Sequence, residues 1–550
     1  MRTHYPRTPH LPWSPGVTDD DVRVTDLCGL RGREVVVTEK LDGENTTLYA
    51  DGLHARSLDS AHHPSRTWVK ALQGRIGHAI PAGRRVCGEN MYARHSIAYE
   101  DLDSYFYGFS VWDADGRCLD WDETVGCLRA LGIPAPRVLW RGTFDERALR
   151  ALAVDRGRQE GYVVRTVEGF AAGDFGRHVA KWVRPGHVQT GTHWMHAAVV
   201  ANGLGPNAPL WAVRSGAAAD PRELTAALGL PGGDAEALGR LATAGLCGDA
   251  RLSGVLATLL HRSRRSSLAP KLVPALGMPL ARRVADLVGL HPALHRPYPD
   301  DERRAGLVRL SYAADLDVLH AVARATARDA EAHEQVEWSA LHAEDAGPLA
   351  GLREAFAGLD ADSSARCLAE AREAYALGRI RTAEEAVAAT WRWRSGAFPK
   401  LIQMVGPSGS GKSTFARELS GVDTLISLDD LREARGSRAD QKANADILRT
   451  GLGRLDAALD GGGTVVWDAT SLNQQQRSLV HSVALRRDAL VTHAVVLVDE
   501  AELTRRNGAR EHPVPARVLA AQLHRFGPPY PGQAHRTWYI GASGTIEEEA

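Results

Sequence analysis

The first third of the chain reads as short strands with turn signals between them, at segments 34–39, 46–50, 85–87, 105–112 and 161–166. From about residue 220 to 390 the texture changes to Ala, Leu and Arg at helical spacing, with helices predicted over 316–331 and 365–393. After Phe398 the order becomes strand, loop, helix, strand, which is α/β texture. Segments 202–209 and 231–233, rich in Gly and Pro, read as joints. The pattern predicts a multidomain chain with an α+β unit over 1–200, an α-helical middle over 201–395, and an α/β unit with a parallel sheet over 396–550.

Composition changes this picture little. With 550 residues, 44% hydrophobic and 24% charged, the chain has enough material for about three or four globular domains. A formal net charge of −1 leaves room for a basic cleft inside a neutral total. No run approaches the about 18 apolar residues that a bilayer span needs, and residues 1–20 hold Pro, His and Asp where a signal peptide has an apolar stretch, so the expectation is cytoplasmic, with no membrane partner. The six cysteines show no paired or zinc-type spacing and read as reduced packing residues. Only seven of the 66 basic residues are lysine. A lysine inside a motif therefore points to lysine chemistry, and Lys40, Lys181 and Lys412 all fall in motifs.

Residues 401–405 predict a short apolar strand, followed by Gly406-Pro-Ser-Gly409-Ser-Gly411-Lys412-Ser413-Thr414 and a helical segment. This is G-x-x-x-x-G-K-[ST] in its strand-to-helix context, a P-loop. The glycines let backbone N–H groups turn onto phosphates, Lys412 reaches the β/γ-phosphates, and Ser413 holds Mg2+. A second strand, 425–428, ends in Asp429-Asp430-Leu431-Arg432, where an aspartate can take a proton from an attacking hydroxyl and an arginine can hold an acceptor phosphate. A third strand, 464–467, runs into Asp468-Ala-Thr470. Arg505, Arg506 and Arg510 then follow a strand at 493–498 with the spacing of a helical lid over ATP, which is also that of a solvated basic face. Over 398–540 this set resembles the 5′-kinase domain of polynucleotide kinases. The resemblance implies Asp429 as general base, Arg432 as acceptor-phosphate ligand and Arg506 with Arg510 as the lid pair, and the segment 467–477 also fits it.

Near the other end, Glu39-Lys40-Leu41-Asp42-Gly43-Glu44 follows the strand at 35–38. A lysine beside an Asp-Gly turn also describes a simple hairpin. Further on stand Arg56, Glu89, the aromatic run 106–109, Glu160 ahead of a strand, and Lys181 just before Arg184-Pro185. In this order and spacing, residues 30–195 resemble the covalent nucleotidyltransferases, specifically the ATP-dependent RNA ligases. The resemblance implies a nucleotidyltransferase fold in which Lys40 attacks the ATP α-phosphorus to form lysyl-AMP. It implies Glu89 and Glu160 as ribose and metal contacts, Arg56 as a nucleotide clamp, Phe109 as the base stacker, and Asp42, Gly43 and Lys181 in the nucleotide pocket. The tail 182–190 and His193-Trp194-Met195 belong to the same resemblance. One departure stands out. Members of the family carry two lysines flanking one residue in the last motif, whereas here Lys181 stands alone and Arg184 is the candidate substitute.

In the middle, His261-Arg262, His291 and Thr326 faintly resemble helical metal-dependent phosphohydrolases, but Arg262 and Thr326 stand where acids are expected, and a cation repels a metal. A helical spacer or RNA-binding platform is the expectation. Arg262, Arg264, Arg265 and Lys271 form a basic cluster suited either to phosphates or to solvent. Together the motifs imply RNA end repair: a kinase using ATP and Mg2+ or Mn2+ on 5′-hydroxyl ends, and a ligase joining 5′-phosphate to 3′-hydroxyl ends. DNA end repair, or a small-molecule kinase fused to a nucleic-acid-binding module, stays open at this point.

Overall fold

The computed structural model describes residues 2–17, 21–58, 63–155, 157–186, 198–243, 245–297, 299–344, 346–434, 444–510 and 512–550. The part of the ligase-like tail at 187–195 lies outside them. The chain divides into two compact units, Met1–Gly233 with Thr243–Val255, and Asp234–Ala242 with Leu256–Ala550. Among the described residues, no helix is long and apolar enough to cross a membrane.

The first unit contains β1 (Glu34–Lys40), β2 (Glu44–Tyr49), β3 (Gly52–Ala55), β4 (Arg85–Asn90), β5 (Phe106–Trp112), β6 (Arg117–Cys118), β7 (Val138–Thr143), β8 (Gly161–Thr166), β9 (Phe170–Ala171) and β10 (Val179–Val183). They form two antiparallel sheets of order β10-β8-β1-β7 and β3-β2-β4-β5-β6-β9. Strand alternation then decides which side chains meet. Val35, Val37, Tyr162, Val164 and Ala180 share a core with Leu11 and Leu149 on one face of the first sheet. Lys40, Val163 and Lys181 have the opposite parity and face the other way. In the second sheet Leu48, Val86, Phe106 and Val111 pack on helices Thr67–Ile76 and Trp121–Leu131, which turns Cys87 and Glu89 away from that core. Cys87, Trp112 and Val179 pack together with Val163 and Phe109 beside them, so these two inward faces enclose a cleft.

Two further stretches complete the unit. The N-terminal segment runs along the free edge of β10, with Leu11 N–H donating to Lys181 O at 2.8 Å and Lys181 N–H to Pro9 O at 2.9 Å. Beyond residue 200, the buried Asn202 accepts from Tyr99 N–H and donates to Met91 O, and Arg214 pairs with Asp249 at 2.8 Å.

The second unit joins helices to a six-stranded sheet. The helix expected over 316–331 is two helices, Leu316–Thr326 and Ala330–Ala343, because the Asp329 carboxylate caps the second by accepting from Ala332 N–H. Likewise 365–393 divides into Ala361–Ala376, Ala383–Ala389 and a short 3-10 turn, with Thr382 and Glu385 forming a capping box. The strands β11 (Lys400–Val405), β12 (Thr424–Ser427), β13 (Thr464–Asp468), β14 (Leu490–Val496), β15 (Arg536–Ile540) and β16 (Ile546–Glu549) lie in the order β12-β13-β11-β14-β15-β16, parallel except for the last pair. Apolar side chains line both faces, as a covered parallel sheet requires.

The basic cluster of the middle region serves neither of its two expected roles in full. Arg265 pairs with the buried Asp286 at 2.6 Å, donates to Pro529 O at 2.9 Å and lies over the Tyr530 ring, while Arg264 donates to the carbonyls of Leu523 and His524. Both tie the helices to the sheet-bearing part. Arg262 and His261 both meet the carboxylate of Asp234, at 2.7 and 3.1 Å.

Candidate active sites

In the first unit the cleft gathers charge around one lysine. Lys40 ends β1 opposite Gly161 in the register with β8, so the preceding residue Glu160 falls beside it, and Lys40 Nζ donates to Glu160 Oε2 at 2.5 Å. Gly161 is required here, since a Cβ would lie 1.9 Å from Trp182 O on β10. Burial alone would lower the Lys40 amine, but the Glu160 carboxylate, with Glu89 and Asp42, outweighs it and holds the amine above its ordinary value. Glu89, reaching in from β4, is pushed up to about 8 by burial, with Lys40 opposing and Glu160 and Asp42 adding to the shift. Lys181 is lowered by burial and by Lys40. Lys40, Glu160, Glu89 and Lys181 are therefore brought together from residues up to 141 positions apart.

The remaining expected residues divide. Asp42 Oδ2 accepts from the N–H groups of Ser96 and Ile97 at 2.9 and 3.0 Å, so its carboxylate clasps a loop that the sequence reading did not single out. Gly43 sits where a Cβ would lie 2.6 Å from Asn90 O, which explains the glycine. Phe109 lies on the cleft side, its ring edge-on to Tyr5 at 5.1 Å. Arg56 is exposed just past β3, its carbonyl bonded by His4. Arg184 N–H donates to Glu160 O at 3.1 Å, so its backbone braces the site. Two carboxylates flanking a lysine are oxygen ligands of the kind a divalent cation takes, and they suit that role once the cation replaces the Lys40 ammonium as their partner.

In the second unit the loops after β11, β12, β13 and β14 open at the same, carboxyl end of the sheet, around a cavity of about 1000 Å³. Gly406, Gly409 and Gly411 have φ values of 152°, 82° and 99°, conformations that only glycine takes readily, and they turn the loop into the start of helix Lys412–Glu418. Lys412 is lowered to about 8 by burial, with Asp468 and Asp429 opposing, and donates to Pro407 O at 2.8 Å. Asp429 forms an ion pair with Arg432, one turn on in helix Leu428–Glu433. Arg506 lines the cavity, anchored by Glu502 at 2.6 Å and by the Ala542 carbonyl at 2.7 Å, and Arg510 and Thr414 line it as well. Arg505 points outward and pairs only with Glu502 among its described contacts, so the solvated-face reading applies to it alone.

Asp468, absent from the residues that the sequence motifs nominate, lines the same cavity. It ends β13, is buried, and is raised by that burial while a hydrogen bond with Ser413 holds it back. Hydroxyl and carboxylate together fit Mg2+ beside a triphosphate. An aspartate closing a central strand next to a P-loop was the available signal. Next to it, Ser471 adopts a φ of 46°, a strained conformation of the kind found at functional loops.

Residues 33–183 match the RNA ligase family model, and residues 401–529 match an AAA domain family model. No curated protein matches. Among solved structures, a variant of Naegleria gruberi RNA ligase with ATP and Mn is 18% identical, covering 28% of this chain and 51% of its own, with a TM-score of 0.22. A chain of the Pnkp1/Rnl/Hen1 RNA repair complex is 24% identical, covering 24% of this chain and 49% of its own, with a TM-score of 0.21. A gluconokinase from Sinorhizobium meliloti 1021 is 22% identical, covering 26% of this chain and 84% of its own, also with a TM-score of 0.21. The matched stretch thus spans about half of each of the first two proteins. The chain thus carries a domain of the RNA ligase family model in its N-terminal part and a P-loop domain of the AAA family model in its C-terminal part.

Proposed function

We propose that the protein repairs broken RNA, phosphorylating 5′-hydroxyl ends and sealing the resulting 5′-phosphates to 3′-hydroxyl ends. In the second unit the glycine loop and Lys412 hold the ATP phosphates, and Asp429 accepts the proton of the 5′-hydroxyl as its oxygen attacks the γ-phosphorus. Arg432 turns from Asp429 to the acceptor's phosphate, and Arg506 with Arg510 neutralises charge on the transferring group. In the first unit the neutral Lys40 amine attacks the ATP α-phosphorus, forming a P–N bond as the bond to pyrophosphate breaks, with Lys181 against the α-phosphate. The RNA 5′-phosphate then takes the AMP from Lys40, and a 3′-hydroxyl displaces AMP to close the strand. A divalent cation at Glu89 and Glu160, and another at Ser413 and Asp468, supplies charge neutralisation for the phosphates.

The observation that carries this reading is that one chain holds both a lysine poised between Glu160 and Glu89 and a P-loop facing an Asp429–Arg432 pair. The first site consumes what the second produces, so a tether raises the effective concentration of the shared end. Incubation with ATP labelled at the α-phosphate should leave a covalent label on the denatured wild-type chain and none on Lys40→Ala. With γ-labelled ATP, transfer to a 5′-hydroxyl RNA is expected. Failure of that transfer would remove the kinase half, and preferential transfer to DNA would reassign the polymer.

A further inference from the structure

The N-terminal segment does more than cover the edge of β10. His10 N–H donates to Val22 O at 2.7 Å and Val24 N–H to His10 O at 2.8 Å, so residues 22–24 lie alongside residues 9–11, which are themselves in register with β10. That arrangement brings Asp21 to the cleft. Its Oδ1 lies 3.5 Å from Lys181 Nζ, and its Oδ2 lies 3.3 Å from His10 Nε2. His10 is 1% exposed and held by Ser14, whose Oγ lies 2.9 Å from His10 Nδ1 and accepts from Val183 N–H at 3.0 Å. Burial, reinforced by Lys181, pushes the imidazole down to about 4, so it stands against Asp21 as a neutral ring.

The 3.5 Å separation between Asp21 and Lys181 exceeds the roughly 2.7–2.9 Å of a tight charge-assisted hydrogen bond, so this contact is a loose one. Lys181 is the cation set against the α-phosphate in the proposed reaction, and Val183, two residues on along the same face of β10, offers no second charge. We infer that Asp21 belongs to the nucleotide site, pairing with the Lys181 ammonium while the site is empty and yielding it to the α-phosphate of ATP. This rests on the reading of Lys40 as the adenylated nucleophile. In the empty cleft the carboxylate offsets a positive charge that would otherwise face the Lys40 ammonium. Once ATP arrives, the same carboxylate repels the phosphate, so Asp21 sets how much ATP the ligase site needs.

The test is the ATP concentration giving half-maximal lysyl-AMP label in the full chain, read on denaturing gels so that nucleotide bound at the P-loop is not counted. Asp21→Asn should lower that concentration by about fivefold, the scale of one partly exposed ion pair. Asp21→Glu should stay near wild type, because the charge is kept. Asp21→Ser serves as a second neutral variant if the amide disturbs folding, judged by thermal midpoint. A half-maximal concentration unchanged or raised in a folded neutral variant would overturn the inference, since a purely structural carboxylate gives that result. Absence of label on the wild type would instead overturn the ligase reading itself.

Discussion

At the scale of single residues, the candidate groups of both sites are paired with opposite charges. Lys40 is held protonated by Glu160, although attack on phosphorus needs a neutral amine. In the proposed reaction a divalent cation held by Glu160 and Glu89 would release the amine from that pairing. Asp429 is likewise paired with Arg432, which in the proposed reaction turns to the acceptor phosphate. Asp429→Asn should therefore cut transfer to 5′-hydroxyl RNA by about 10²–10⁴-fold, the usual weight of a general base. Arg432→Ala should act mainly on the KM for that RNA. Covalent labelling at Lys40 should be untouched in both variants, and steady-state kinetics beside the α-label assay separate these outcomes.

At the scale of elements, buried charges pair across the second unit and two histidine rings stack within it. Asp286 is 0% exposed and is paired with both Arg265 and Arg282, and Arg282 also reaches Glu548 on β16 at 2.7 Å. Removing the shared carboxylate leaves two guanidinium groups facing each other in a dry site. Asp286→Ala should cost about 3–5 kcal/mol in denaturant unfolding, the scale of breaking a buried pair from one side. His481, on helix Gln474–Arg486, stacks on His493 of β14 at 5.2 Å. Burial pushes His481 down to about 4 and His493 well below its ordinary value. The folded unit thus refuses protons that the unfolded chain accepts below about pH 6.5. Stability contributed by these rings is full at neutral pH and is lost as pH falls from about 6.5 toward 4. Thermal midpoints measured across that window should decline, and His481→Phe should flatten the decline.

At the scale of the whole molecule, the first unit extends past the strands that carry its chemistry. Asn202 fastens Met91 and Tyr99, the ends of the loop that Asp42 also clasps, and Ala201 and Leu204 bridge to Ala93 and Leu102. A fragment of residues 1–200 should therefore melt lower and label less at Lys40 than a fragment of residues 1–260. Calorimetry and the α-label assay on the two fragments check this directly.

Much of this protein was legible in the chain itself. Short runs between turn signals placed β1, β4, β5 and β8, and the P-loop glycines announced a conformation that other residues resist. These features depend on neighbours a few positions away, and so local physics writes them into the sequence. Helix breaks at 327–329 were less visible, because capping by Asp329 competes with an unbroken helical pattern. The partners of charged groups were not visible at all. Arg265 reads as part of a basic run, yet it is spent on Asp286 and on carbonyls more than 260 residues away. Lys40 finds Glu160 across 120 positions, and Asp21 finds Lys181 across 160. The sequence by itself determined which motifs the chain carries, because each is written in residues a few positions apart. Only the tertiary structure decided which charges face each other, because Coulomb energy and desolvation depend on distance in space and carry no signature in spacing along the chain.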